Sequence, residues 1–216
     1  MHGNSFKQAF IERRIQTLLE NFANSTSTQS EQEIIKELKA ASYEVFTLVI
    51  SQNQGFKMTT AFQHLPNLTN LTLTFGAKHV GMQYERPLFG MKMSDAKNFA
   101  TCLRTCQNLT YLALPGNLID DDLAGILQKG LMINKTITQL DLSHNKIGER
   151  GARKIAKYLL QSFILTHLNL EDNLIDYGGS RFIASALKVN KSLKHISLKL
   201  NRLDDKAGHK LCQDLE

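Results

Sequence analysis

Between Ile137 and Leu159 the apolar positions change period. Ile137, Leu140 and Leu142 fall at intervals of three and two, the spacing of a short strand with its entry turn, whereas Ala152, Ile155, Ala156 and Leu159 form one face of a helix. A strand followed by a helix in so short a stretch predicts a repeating unit, and sliding the stretch along the chain finds it. The segments from Leu109, Ile137, Leu165 and Leu193 align without gaps at a constant interval of 28 residues, and Asn117, Asn145, Asn173 and Asn201 keep the same interval.

The shared letters, L-x-x-L-x-L-x-x-N-x-L, are those of the leucine-rich repeat in its longer strand-plus-helix form. The predicted fold class is therefore α/β: a leucine-rich-repeat solenoid, or horseshoe, with parallel strands on the concave face and helices on the convex face. One unit exposes an apolar strand side and an apolar helix stripe that it cannot bury alone, so successive units stack around a continuous core. The Asn carries both donors and acceptors, and at the turn leaving each strand it is expected to satisfy backbone groups that neither ladder nor helix reaches.

A weaker copy lies upstream, with Leu68, Leu71 and Leu73 in register and Gly76 where the Asn would fall. Leu68 precedes Leu109 by 41 residues, thirteen more than the period, which places an insertion near 77–90 in repeats running over 65–216. After it "SDAKNFATCLRTC" resumes as a helix, with Ser94 expected as its cap. Residues 31–64 read as a helix plus an irregular zeroth repeat carrying Val45, Leu48, Ile50 and Asn53, and residues 1–30 as an amphipathic helix with Phe6, Phe10, Leu18 and Phe22, then the polar linker "ANSTSTQS". The last repeat has no polar cap, so its apolar edge, Leu198, Leu203 and Leu211, is expected to meet further chain or a partner.

Composition narrows the function classes only slightly. No stretch approaches the roughly twenty apolar residues of a membrane span and the N-terminus lacks the apolar run of a secretory signal, so a soluble intracellular protein is expected. Of three cysteines, Cys102 and Cys106 sit one helical turn apart in line with Phe99 and Leu103, without C-x-x-C spacing, and read as core filler. The formal charge of +6 and pI of about 9.2 permit acidic partners without selecting one. Arg150, Arg153, Lys154 and Lys157 belong to one repeat helix and read as its solvated face, with Arg153 and Lys157 on one side; no basic stripe with stacking aromatics argues for nucleic acid.

Candidate chemistry has bland competitors. Asp120, Asp176 and Asp204 each follow the repeat Asn by three residues, where helices begin, so capping rather than a cation site explains the run Asp120 to Asp122. His167 and His195 occupy equivalent strand positions and should project side by side, but Gln139 and Tyr111 continue the column and offer no third zinc ligand of the usual kind. Asn70, Tyr111, Gln139, Asp141, His167, Asn169, His195 and Ser197 instead compose a polar concave surface suited to binding protein, with the solvated side of a sheet as the plain alternative. No nucleophile, base and oxyanion donor stand in a recognisable set, and no cofactor or metal is expected.

The insertion is the second candidate, through Met82, Tyr84, Glu85, Arg86 and Phe89. Arg86 could serve as an arginine finger, because leucine-rich GTPase activators of the Ran type use this repeat class, and a free cytosolic adaptor or inhibitor is a third reading. "GMQYERPLF" after "LTLTFGAKHV", followed by "DDDLAGIL" and "LDLSHNKIGERGARKIAKYL", resembles a particular family, the leucine-rich-repeat subunit 5 of the nexin-dynein regulatory complex in motile cilia, or t-complex-associated testis-expressed family. The resemblance runs from about Leu65 to the end, and its more diagnostic residues are Gly81, Met82, Tyr84, Glu85, Leu88 and Phe89. It implies a noncatalytic scaffold of the cytoskeleton, located in the cytoplasm on the ciliary axoneme. Such a subunit would dock other protein subunits, meet tubulin indirectly and help regulate dynein, with no nucleic acid, membrane or small-molecule substrate.

Overall fold

The computed structural model describes residues 2–22, 31–41, 43, 45–53, 62–75, 89–205 and 208–209. Two helices, α1 (His2–Phe22) and α2 (Glu31–Ala40), precede a sheet of β1 (Thr47–Asn53), β2 (Asn70–Phe75), β3 (Tyr111–Ala113), β4 (Gln139–Asp141), β5 (His167–Asn169) and β6 (His195–Ser197). The strands lie in sequence order, every neighbouring pair parallel. Helices α3 (Met93–Thr105), α4 (Asp121–Leu131), α5 (Glu149–Gln161) and α6 (Tyr177–Leu187) supply the crossovers from β2 to β6. One helix per crossover, always returning to the adjacent strand, is the geometry of a solenoid.

Strands β3 to β6 contain three residues each, and the middle one faces the core. Leu112, Leu140 and Leu168 are buried there, joined from the flanking turns by Leu109, Leu114, Ile137, Leu142, Leu165 and Leu170. The helices answer with Leu123, Leu127, Ile155, Leu159 and Ile183, also buried. Each such side chain contributes roughly 1.5–3 kcal/mol when withdrawn from water. Leu198 and Leu203 at the last repeat are half-buried, and Leu211 lies outside the described residues.

Two side-chain ladders run along the stack. At the strand entries Thr138 Oγ1 donates to Thr110 O (3.3 Å) and Thr166 Oγ1 to Thr138 O (2.9 Å), each reaching back one repeat. At the strand exits Asn145 Nδ2 donates to Leu114 O of the preceding repeat and Leu142 O of its own, while its Oδ1 accepts from Asn117 N and Ile119 N. Asn173 repeats this towards Leu142 O and Ile147 N, and Asn201 towards Leu170 O and Ile175 N. Asn117 serves Phe75 N and Leu73 O, so the first repeat receives this support from its successor although it has no Asn of its own.

The helix starts divide. Asp120 accepts from Asp122 N and Leu123 N, and Asp176 from Gly179 N, as capping predicts. The intervening α5 has Gly148 at the cap, and its free N–H groups are met by Asp121 of the preceding repeat, whose Oδ1 accepts from Gly148 N (2.7 Å) and Gly151 N (2.9 Å). Ser94 is not the cap of α3. Lys92 occupies that position, and Asp95 in the first turn accepts from Lys92 N at 2.9 Å, a bond that an ionised acceptor makes stronger than a Ser hydroxyl would.

In α1 one expected apolar residue, Phe10, departs from the inward face while Leu18 keeps to it. Ile15 and Leu19 are fully buried with Ile11 and Leu18 packed beside them, whereas Phe10 is 63% exposed; the side chains of Phe6 and Phe22 lie outside the described set. The stripe 11, 15, 18, 19 is complete over two turns, and Phe10 sits about 100° away from Ile11. Glu12 joins α1 to the sheet by accepting from Phe46 N and Thr47 N.

Candidate functional site: the concave face

Parallel register places one residue from each strand in a continuous row. Asn70, Tyr111, Gln139, His167 and His195 are successive partners, and Thr72, Ala113, Asp141, Asn169 and Ser197 form the second row. Tyr111, Gln139, Asp141, His167, Asn169, His195 and Ser197 line one depression of about 300 Å³, floored by Leu140, Leu168 and Ile196; Asn70 continues the row without lining it.

The rows differ in what their side chains do. In the second row Asp141 Oδ1 accepts from Ser143 N (2.8 Å), Asn169 Oδ1 from Glu171 N (3.1 Å), and Ser197 Oγ lies 3.4 Å from Glu171 Oε2. The first two are turn-forming bonds at the strand exit and the third reaches the preceding repeat, so part of each group's capacity is already used. Gln139, His167 and His195 in the first row are exposed. The rings of His167 and His195 stack with centroids 4.5 Å apart and planes 22° from parallel. Thr166 Oγ1 is 2.8 Å from His167 Nδ1 while also donating its single proton to Thr138 O, which leaves Nδ1–H as the donor of that pair.

Burial, followed by the Asp141 carboxylate, pushes the Tyr111 phenol above its ordinary value, and a hydrogen bond with Thr72 acts in the opposite direction. Asp141 is the one carboxylate lining the depression among the described residues. The surface combines donors, acceptors, two imidazoles and a half-buried phenol. Gln139, His167 and His195 leave polar groups exposed on this face beside the half-buried Tyr111.

Met82, Tyr84, Glu85 and Arg86 of the insertion, with Gly81 and Leu88, lie outside the described residues. Phe89 is described and half-buried, next to Gly90, whose N–H donates to Phe75 O. Thr72 was not among the expected site residues, yet it touches Tyr111 from the second row; period-two reading from Asn70 would have found it.

Cys102 and Cys106 are free thiols, one buried and one half-buried. Burial pushes Cys102 up to about 12 and raises Cys106, which keeps both protonated at neutral pH. Cys106 also bonds the backbone at Asn108 and Leu109, the positions equivalent to those Asn134 Oδ1 serves at Thr136 N and Ile137 N one repeat later. Its role is therefore a turn support as well as filler.

Residues 134–156 and 189–212 match the Leucine Rich repeat family model. The chain is a leucine-rich-repeat solenoid. It is similar to dynein regulatory complex subunit 5 of Chlamydomonas reinhardtii, 38% identical over 124 residues covering 56% of this chain and 31% of that protein. Dynein regulatory complex subunit 5 of Mus musculus is 30% identical over 169 residues, 64% of this chain and 33% of its own length. The chain thus spans about a third of the length of the curated relatives it matches. Among solved structures, the leiomodin-1 actin-binding site 2 superposes with a TM-score of 0.55 at 23% identity, over 69% of this chain and 79% of that one, a likeness of fold.

Proposed function

We propose that this leucine-rich-repeat chain is a noncatalytic docking scaffold in a dynein regulatory complex, part of a subunit that holds neighbouring proteins on the ciliary axoneme and so helps link doublets and regulate dynein. The similarity to dynein regulatory complex subunit 5 carries this reading. The concave face supplies a compatible mechanism. Successive strands present the row from Asn70 to His195 at intervals of about 4.8 Å, a rigid polar strip that several contacts of a partner subunit can occupy at once. Other subunits are its direct partners, and tubulin is reached through them.

A tagged copy expressed in a ciliated cell tests it. After detergent removal of membrane and soluble matrix, the tag should stay on the axoneme with periodic spacing, and a Gln139→Arg, His167→Glu double variant should be released while keeping its circular dichroism. Complete release of the unmodified chain would refute the assembly reading and leave the fold untouched.

A further inference from the structure

The two edges of the solenoid are chemically unlike. The helix starts carry the carboxylates Asp120, Asp121, Asp122, Glu149 and Asp176. At the opposite edge, where the chain leaves each helix for the next strand, residues 128–136, 156–165 and 184–194 contain no Asp or Glu at all. Lys129, Lys135, Lys157 and Lys191 are exposed there, and none has an ion pair among the described residues. A helix dipole accounts for cations near helix ends. It gives no reason for apolar side chains to stand exposed among them.

Such side chains are present in each of the three turns. Ile133 is 48% exposed, Leu160 47%, Phe163 84% and Val189 62%. Single exposed apolar residues are ordinary, but a group of them along one edge, within a rim of one charge sign, marks an interaction surface. The turns that carry them are fixed. Asn134 Nδ2 donates to Leu103 O and Cys106 O, and Asn190 Nδ2 to Leu159 O and Ser162 O, tying each turn to the one before it. The surface is thus pre-organised, which lowers the ordering cost of binding.

We infer that this edge binds an acidic amphipathic helix of a partner protein. The spacing selects a helix. Packed helices stand about 8–10 Å apart, so equivalent turns advance by about that distance. Ile133 and Val189 hold equivalent positions two repeats apart, with exposed Gln161 between them and Leu160 and Phe163 to either side of it. Seven residues of a partner helix rise about 10.5 Å, so one apolar residue in seven meets an apolar contact in each turn, with Glu or Asp on the flanks facing the lysines. A polyanion without an apolar face would leave those side chains in water, and a membrane would need them on one broad plane rather than along one line of turns.

A fluorescent three-heptad synthetic peptide with Leu at every seventh position and Glu on both flanks tests this by anisotropy against the full chain. Saturable binding is expected, weakening with salt. The K129E/K135E/K157E/K191E variant should lose affinity by more than about tenfold, since several charge contacts each reverse sign. A peptide with Lys in place of Glu should restore binding to that variant, a rescue that misfolding cannot produce. Phe163→Ser should weaken binding with the salt slope unchanged. No saturable binding by the unmodified chain, equal affinity for a sequence-scrambled peptide of the same charge, absence of the charge-swap rescue, or tighter binding to phosphatidylserine vesicles or duplex DNA would each overturn the assignment.

Discussion

Replacing Asn145 by Leu conserves volume and removes a carboxamide that is 6% exposed. The bonds lost are those from Nδ2 to Leu114 O, Leu142 O and Ser143 O, and those to Oδ1 from Asn117 N and Ile119 N. Two of these partners keep another bond: Leu142 O still accepts from Asn173 Nδ2, and Ser143 O from Gly116 N. Three backbone groups, Asn117 N, Ile119 N and Leu114 O, lose the bond that Asn145 gave them. At about 1–3 kcal/mol for each buried unsatisfied group, the expected loss is at least about 3 kcal/mol, against a stability of about 5–15 kcal/mol for a typical domain. Urea unfolding followed by far-ultraviolet circular dichroism measures it, with exposed Gln161→Leu as control. Because Asn145 joins two repeats, the transition should also broaden or split as the stack loses coupling. A loss below about 1 kcal/mol with an unchanged slope would refute the claim that the ladder holds the repeats together. Asn145→Asp sharpens the test. Its oxygen still accepts from Asn117 N and Ile119 N, but its other oxygen faces Leu114 O and Leu142 O, which favours the protonated acid. That variant should gain stability as pH falls through its raised folded value, whereas the Leu variant should show no such gain.

Three further outcomes follow from the packing. Asp121→Ala should cost about 1 kcal/mol in the same urea assay, like the loss of a helix cap, through Gly148 N and Gly151 N rather than through the exposed Arg150 pair, so added salt should leave the difference intact. Gly130→Ala should destabilise by about 1–3 kcal/mol despite better helix propensity, because the added Cβ would stand 2.6 Å from Ala100 O where α3 and α4 meet; a stabilised variant would show that the helices can part freely. The protonated Cys102 thiol is favoured on folding, so its contribution is complete below the unfolded value of 9.0 and is lost as pH rises towards 12, at most about 1.4 kcal/mol by about pH 10. Cys102→Ala should flatten that alkaline decline, and an equal decline in both proteins would assign it elsewhere.

What could be read from letters alone was whatever repeats. The strand triplets and the ladder Asn recur at 28 residues, and Asp120 and Asp176 cap helices two repeats apart, with Gly148 at the cap between them. What escaped were bonds made between units. Asp121 capping the next helix looks like part of an acidic run until the stack sets it 2.7 Å from Gly148 N. The support of the helix-to-strand turns by Asn134, Ser162, Asn190 and Cys106 was spelled with three residue types, which hides the shared position. In α1 Leu18 packs against the core as its spacing suggests, but Phe10 is exposed because Ile11, Ile15 and Leu19 complete the inward stripe with Leu18. For the concave site the column of positions was legible, while the division of labour between its two rows was not, because turn bonds from Asp141 and Asn169 depend on the backbone after the strand.

That division bears on how the fold can change partners without changing itself. Leucines and the Asn ladder fill the interior, the Thr hydroxyls close the strand entries, and the second strand row shapes the exits, so the stack consumes most of its polar capacity in holding its own backbone. Gln139, His167 and His195 in the first row, and Lys135, Phe163 and Lys191 in the turns, have no comparable duty in the backbone scaffold. At those positions a substitution alters the surface while the ladders remain, within the ±0.5 kcal/mol or so typical of surface changes. A scan of both sets should therefore separate cleanly: conservative changes on the ladders move the urea midpoint, and charge reversals on the two surfaces move binding alone. Coupled losses of stability and binding at His167 or Phe163 would contradict that separation and make the surfaces part of the frame.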